Sequence, residues 1–319
     1  MTGTIRDGNL KCVSLFSGIG GFDLAMTNLG HEIVGACEID GPARTIYARH
    51  FPKVKLWQDA TKLDPKDLPG HDILMAGFPC QAFSVAGKRL GFQECRGTLF
   101  YEIVRIAKET RPSIIFLENV MGLLNHDNAR TIIQIISSLD EMGYNPIEWQ
   151  VTNSKYHLPQ NRERIFIVGH LRGSGGRKIF PITDINGQDI GKSTDKERVV
   201  SHSIDANYFK GPDKHAQRTI IQTGVYAVEN PLFPNKVKNG SRIKTHDEPS
   251  FTLQSNPAFV QGVIVNKRLR KLTPTECERL QGFPDSWTEG QSDTQRYKQL
   301  GNAVTVPMVQ IIAERFKIE

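Results

Sequence analysis

An α/β fold on a parallel sheet is the expectation for the first 170 residues of this 319-residue chain. Short apolar runs of strand length alternate with amphipathic stretches of helical period, and the runs end in glycine, proline or a carboxylate. The first run leads through a glycine turn into a helix, a unit on which open sheets bind ligands. From residue 170 to 271 the pattern changes to short β-rich pieces with many turns, such as Phe209-Lys210-Gly211-Pro212. That change marks a second, smaller domain.

Each element has a local cause. Lys11 to Ser17 reads as the first strand, Gly18-Ile19-Gly20-Gly21 as a tight turn, and Phe22 to Leu29 as an amphipathic helix closed by Gly30. Glu32 to Cys37 is the second strand. Glu38 follows about twenty residues after Gly18, the spacing at which a carboxylate accepts ribose hydroxyls. Asp23 stands where a dinucleotide fingerprint wants glycine, and no P-loop lysine is present, so the turn suits a nucleoside without a pyrophosphate. S-adenosylmethionine fits that description. Asp59 sits where a third strand should end, either accepting an adenine amine or capping the next turn.

The run His71 to Ala76 is a buried strand stopped by Gly77-Phe78-Pro79, which leaves Cys80 at its C-terminal edge. Alone, Cys80 is equally a nucleophile or a small buried hydrophobe. Val85 to Gly97 holds three glycines and three cations with little periodicity and is expected to be a mobile lid. Thr98 to Glu109 has helical spacing with Leu99, Ile103, Ile106 and Ala107 inward. Ser113 to Leu117 is another buried strand, and Glu118-Asn119-Val120 follows it directly. Glu118 is either an acid kept neutral by an apolar setting or a capping or ion-paired carboxylate. Arg162 and Arg164, around Glu163, precede a strand over Ile165 to Gly169 and either form a surface ion-pair cluster or hold an anion or a carbonyl. Near the end, Thr273-Pro274 with Glu276 starts a helix over Leu272 to Phe283 as a capping box, Phe283-Pro284 stops it, and Val306 to Phe316 forms a last apolar helix.

The five cysteines, Cys12, Cys37, Cys80, Cys95 and Cys277, are scattered and form no Cys-x-x-Cys pair, so neither a disulfide framework nor a metal site is expected. A reducing compartment suits that usage. With no apolar signal core and no apolar run near ~18 residues, a cytoplasmic, prokaryotic protein without a membrane span is expected. The net charge is +6, and residues 170 to 271 hold 17 Lys and Arg against 9 Asp and Glu. A basic excess confined to one segment suits a polyanion, or a solvated face.

Six stretches now combine: Phe16-Ser17-Gly18-Ile19-Gly20-Gly21, Gly77-Phe78-Pro79-Cys80-Gln81, Glu118-Asn119-Val120, Gln160-Asn161-Arg162-Glu163-Arg164, Arg270-Lys271-Leu272-Thr273-Pro274-Thr275-Glu276-Cys277 and Gln299-Leu300-Gly301-Asn302-Ala303-Val304. They are similar, in order, to the motifs of DNA (cytosine-5) methyltransferases, and the chain resembles a bacterial restriction-modification enzyme of that family. The resemblance implies a Rossmann-like S-adenosylmethionine-dependent methyltransferase domain with a smaller β-rich target recognition domain inserted before the C-terminal helix. Its expected bounds are 1–185 for the catalytic domain, 186–272 for recognition, 273–299 for a hinge and 300–319 for the returning segment.

The same resemblance assigns roles. Cys80 is the nucleophile at carbon 6 of a flipped cytosine, Glu118 bonds ring nitrogen 3 and the exocyclic amine, and Arg164, beside Arg162, contacts the base carbonyl. Phe16, Gly18, Gly20, Glu38, Ile39, Asp59, Ala60, Pro79, Leu99, Asn302 and Val304 surround S-adenosylmethionine. Gln81, Ser84, Lys88, Arg89 and Arg96 of the mobile loop meet DNA, and Asn239, Arg242 and Thr252 belong to the recognition region. Arg242 contacts guanine or clamps phosphate. The implied partner is double-stranded DNA, met by a monomer, with a cognate endonuclease acting separately. Two rivals stand beside this reading, a transfer-RNA cytosine-5 methyltransferase and a catalytically inactive DNA-binding relative.

Overall fold

The computed structural model describes residues 9–78, 99–175, 178–182 and 272–316, together with strand backbones at 201–202, 220–221, 262–265 and 268–271. Two compact units divide the chain, one made of 1–152, 163–182 and 306–319, the other of 153–162 and 183–305. Residues 273–305, expected as a hinge and the start of the returning segment, thus group with the second unit.

In the first unit, β1 (Lys11–Leu15) leads to α1 (Gly21–Asn28), β2 (Glu32–Cys37) to α2 (Gly41–His50), and β3 (Leu56–Trp57) to β4 (Ile73–Gly77). Then come α3 (Leu99–Thr110), β5 (Ile114–Val120), α4 (Arg130–Glu141), β6 (Tyr144–Asn153) and, after the short β7 (Gln160–Asn161) of the second unit, β8 (Glu163–Leu171). Seven strands form one sheet in the order β3-β2-β1-β4-β5-β8-β6. Strands β1 to β5 pair in parallel, and β8 runs antiparallel to β5 from Ile114↔His170 to Val120↔Arg164. The order reverses between β1 and β4, so the crevice outside their C-terminal ends is where such a sheet takes a ligand.

These runs are strands because both faces of the sheet are covered. Four of the five residues of both β1 and β4 are buried, as continuous apolar strands under two helix layers must be. Val13, Leu15, Leu74, Ala76, Ile115, Leu117, Ile165 and Ile167 share one core with Phe100, Ile103, Val104, Ile106 and Ala107 of α3 and Ile132, Ile135 and Leu139 of α4. Phe100, rather than Leu99, opens the buried face of α3; Leu99 is half-buried. On the other face Phe116 meets the edges of Phe22 at 5.2 Å and Phe316 at 5.0 Å. Truncating Phe116 to alanine there costs about 3–5 kcal/mol.

The second unit contains β9 (Ser201–His202) paired with β7, and a three-stranded sheet of β10 (Ile220–Ile221), β11 (Gly262–Val265) and β12 (Arg268–Lys271). Helices α5 (Pro274–Gln281) and α6 (Asp293–Asn302) follow. The capping box at Thr273 and Glu276 forms in full, but α5 ends at Gly282, whose φ of 80° closes it before Phe283-Pro284 is reached. Helix α7 (Val306–Ala313) returns to the first unit and packs on α1.

Candidate active site

The turn after β1 is tied to β2 by a carboxylate. Glu38, 9% exposed, accepts the Gly18 N–H at 2.8 Å through Oε2 and the Asp40 N–H at 2.7 Å through Oε1. Arg44 of α2 donates to the carbonyls of Glu38 at 3.2 Å and Ile39 at 2.6 Å. The two glycines of the turn differ. A Cβ on Gly20 (φ +87°) would lie 2.5 Å from the Phe51 ring, so that glycine admits α2 against the turn. Among the described residues nothing lies within 4 Å of a Cβ built on Gly18 (φ +56°), which leaves its face open to them. Phe16 also adopts a positive φ of 55°, a strained value for a residue with a bulky side chain.

Beside this turn Ile39 is 67% exposed although it is apolar. Asp59, two residues past β3, accepts from the backbone N–H of Thr61 at 3.0 Å and its hydroxyl at 2.7 Å. Those bonds hold its carboxyl below the usual carboxylate range, so it stays ionised and able to accept. It therefore does cap its own turn. Ala60 lies in the core, and its carbonyl is bound by Arg105. Two carboxylates, an exposed apolar side chain and an open glycine face fit a nucleoside: hydroxyls and an amine to donate, and a purine face to cover.

The other half of the rim lies at the ends of β4, β5 and β8. Glu118 does not follow its strand but lies within it, because β8 supplies partners as far as Val120↔Arg164. It is 8% exposed and pairs with Arg164 at 3.1 Å, between Nε and Oε1. The ion-paired alternative holds for this carboxylate. Its neighbour Asn119 donates to the Phe78 carbonyl at 2.8 Å and accepts from the Val120 N–H at 2.8 Å. Sequence reasoning gave Asn119 no role of its own. Gly77 stands opposite Glu118 in the β4–β5 register, and Cys80 is three residues on.

Arg162, only 3% exposed, takes a different course from Arg164. In the second unit its guanidinium donates to the carbonyls of Gly301 at 3.0 Å and Ala303 at 2.7 Å, on either side of Asn302. Of the two alternatives, it holds carbonyls, and they are the chain's own. Nearby Gln281 donates to Leu300 O at 2.7 Å and accepts from Thr305 at 2.9 Å. Asn302 is exposed and Val304 buried, and both belong to the second unit. Pro79, Cys80, Gln81, Ser84, Lys88, Arg89, Arg96, Asn239, Arg242 and Thr252 lie outside the described residues, as does the expected lid.

Residues 10–317 match the C-5 cytosine-specific DNA methylase family. Among characterised relatives, the chain is 36% identical to the type II methyltransferase M.HpaII of Haemophilus parainfluenzae, over 95% of this chain and 88% of that one. It is 34% identical to M.HhaI of Haemophilus parahaemolyticus, over 95% and 93%, and 38% identical to M1.ScrFI of Lactococcus lactis subsp. cremoris, over 96% and 77%. Among solved structures, Dnmt2 methyltransferase of S. pombe superposes with a TM-score of 0.64 at 20% identity, covering 96% of this chain and 99% of that one. A Spodoptera frugiperda DNMT2 variant gives 0.62 at 20%, covering 97% and 99%. At that identity the structures speak for the fold. The motifs, the sheet order and the length of the match to type II enzymes agree, and the chain belongs to the C-5 cytosine-specific DNA methylase family, as an S-adenosylmethionine-dependent DNA (cytosine-5) methyltransferase.

Proposed function

We propose that this chain is a monomeric type II modification enzyme that methylates one cytosine in a short duplex sequence, with Cys80 as nucleophile and Glu118 and Arg164 as its partners on the base. The observation that supports it most is the Glu118–Arg164 pair at the strand ends, opposite the residue from which the chain runs on to Cys80. Carbon 5 of cytosine is a poor nucleophile, and addition of the Cys80 thiolate to carbon 6 makes carbon 5 electron-rich. Glu118, which must carry a proton once the base is bound, donates to ring nitrogen 3 and accepts from the exocyclic amine, where charge shifts as the thiolate adds, and Arg164 orients the base carbonyl. A base then takes the carbon 5 proton, and the electron pair left behind expels the Cys80 thiolate. Since carbon 6 is hidden in a stacked duplex, the cytosine is flipped out first, at a cost of a few kcal/mol.

S-adenosylmethionine supplies the methyl group, as an electrophile on a sulfonium, when bound. The residues that would hold it are those of the β1–β4 crevice: Gly18 for close approach, Glu38 for the ribose, Ile39 for the purine face, and Asp59 for the adenine amine. Arg162 is assigned to positioning, since its bonds brace the two residues beside Asn302. The basic residues of 170 to 271 are assigned to DNA. Kinship to type II enzymes over nearly the whole chain favours DNA over transfer RNA as substrate.

Two experiments test this reading. Whole-plasmid bisulfite sequencing from a methylation-free host expressing the protein should find protected cytosines confined to one short motif; no protected cytosine, with label transferred to RNA instead, would reverse the substrate. Cys80→Ser should lower kcat by roughly 10³- to 10⁶-fold while duplex binding is retained. Unchanged transfer would remove Cys80 from the mechanism.

A further inference from the structure

We infer that Arg105 is a positioning residue for Asp59, the carboxylate assigned above to the adenine amine, and the inference rests on that assignment. Arg105 lies on α3, on the helix that starts where the segment carrying Cys80 ends. Its Nε is paired with Glu102 at 2.7 Å, one turn earlier on the same helix. From that fixed stem Nη2 donates to the carbonyl of Ala60 at 2.8 Å and to that of Leu63 at 2.8 Å. These two carbonyls bracket the short turn that Asp59 opens. Asp59 closes the near side itself, with its carboxylate on Thr61 and its carbonyl on the Lys62 N–H at 3.1 Å.

Among the described residues, the far side of the turn is bonded by the guanidinium. The side chains of Ala60 and Leu63 are buried, at 5% and 3% exposure, so their carbonyls have to be bonded inside the protein. A charged donor on neutral carbonyls is a strong, directional bond, and a planar fork can serve two acceptors and Glu102 together. An ordinary i, i+3 surface pair would need no such third and fourth partners, contacts that span 45 and 42 residues of sequence. Glu102 fixes the fork, the fork fixes the turn, and the turn sets where the Asp59 carboxylate stands relative to Glu38. The consequence is that cofactor affinity depends on a residue that does not touch the cofactor.

The test is calorimetric titration of the full-length protein with S-adenosylhomocysteine, together with steady-state kinetics on duplex DNA. Asp59→Ala should weaken binding about tenfold, the scale of one lost hydrogen bond of this kind. Arg105→Ala should weaken it roughly five- to tenfold, and Arg105→Lys nearly as much, since an ammonium cannot hold the three acceptors in one plane. In the two Arg105 variants, kcat at saturating cofactor and the KM for DNA should stay within about twofold. The double variant should bind within about twofold of Asp59→Ala alone, because Arg105 acts through that residue. Parental affinity in Arg105→Lys, or losses that simply multiply in the double variant, overturn the positioning role. Parental affinity in Asp59→Ala overturns the adenine assignment itself, and the inference with it.

Discussion

Glu38 and Glu118 stand at the C-terminal ends of two parallel strands of one sheet and are equally buried, at 9% and 8% exposure, yet they are held by different means. Glu38 is bound by backbone, the N–H groups of Gly18 and Asp40. Glu118 is bound by a side-chain cation, Arg164. A backbone donor cannot leave without unmaking the turn it belongs to, whereas a guanidinium on a flexible stem can exchange one partner for another. The cofactor half of the rim is therefore built before anything binds. The half assigned to the chemistry has a partner that a substrate base can share or replace, which suits a site that must admit a flipped cytosine and release it.

The largest effect should separate these halves. Glu118→Gln keeps the shape and one acceptor but removes the charge opposite Arg164, and kcat should fall roughly 10²- to 10³-fold with the affinity for S-adenosylhomocysteine unchanged. A kcat within threefold of the parent would reduce Glu118 to a structural ion pair. The converse should hold for Glu38→Gln. An amide has one accepting oxygen, so its NH2 group would face one of the two backbone N–H donors. Cofactor affinity should drop about tenfold, or ~1.4 kcal/mol, while kcat at saturation is kept. If Glu38→Gln lowered kcat and left the cofactor KM alone, the division between the two halves would fail.

How far the sequence carried this division follows from what each signal depends on. Strands buried on both faces announce themselves by composition, and the expected second strand, Glu32 to Cys37, is the observed β2. Where an element's end depends on a partner far along the chain, the local pattern misleads: β5 runs on to Val120 because β8 pairs with it there. Arginine targets are harder still. Arg162 lies where the chain passes between units, just before β8, so strand alternation does not set its direction, and its acceptors are some 140 residues away. Glu102 and Arg105 are legible as a helical i, i+3 pair, but nothing local points to Ala60. The recognition residues were proposed by resemblance alone, because base reading depends on loop geometry that no periodic pattern encodes.

A third buried carboxylate sharpens the comparison with a smaller effect. Asp23, in the first turn of α1, is fully buried and meets no cation among the described residues; the Tyr47 hydroxyl donates to it at 2.7 Å, and the Ser14 hydroxyl and its own backbone N–H also favour its charged form. Burial pushes its carboxyl from the ordinary 3.8 up to about 6, against the pull of those hydrogen bonds. The folded state therefore holds a proton that the unfolded chain has lost between these two values, and stability must fall as pH rises through that window. Above pH 6 the cost is fully present, on the order of 2–3 kcal/mol. Asparagine can still accept from Tyr47 and carries no charge, so Asp23→Asn should be the more stable protein at pH 8. The gap should close as pH falls toward 4. Urea unfolding of both proteins across that range is the measurement: converging curves place the charge cost at Asp23, and curves that stay parallel show that its hydrogen bonds suffice to hold an ionised carboxylate without a cation, making the cation at Glu118 a matter of function rather than of stability.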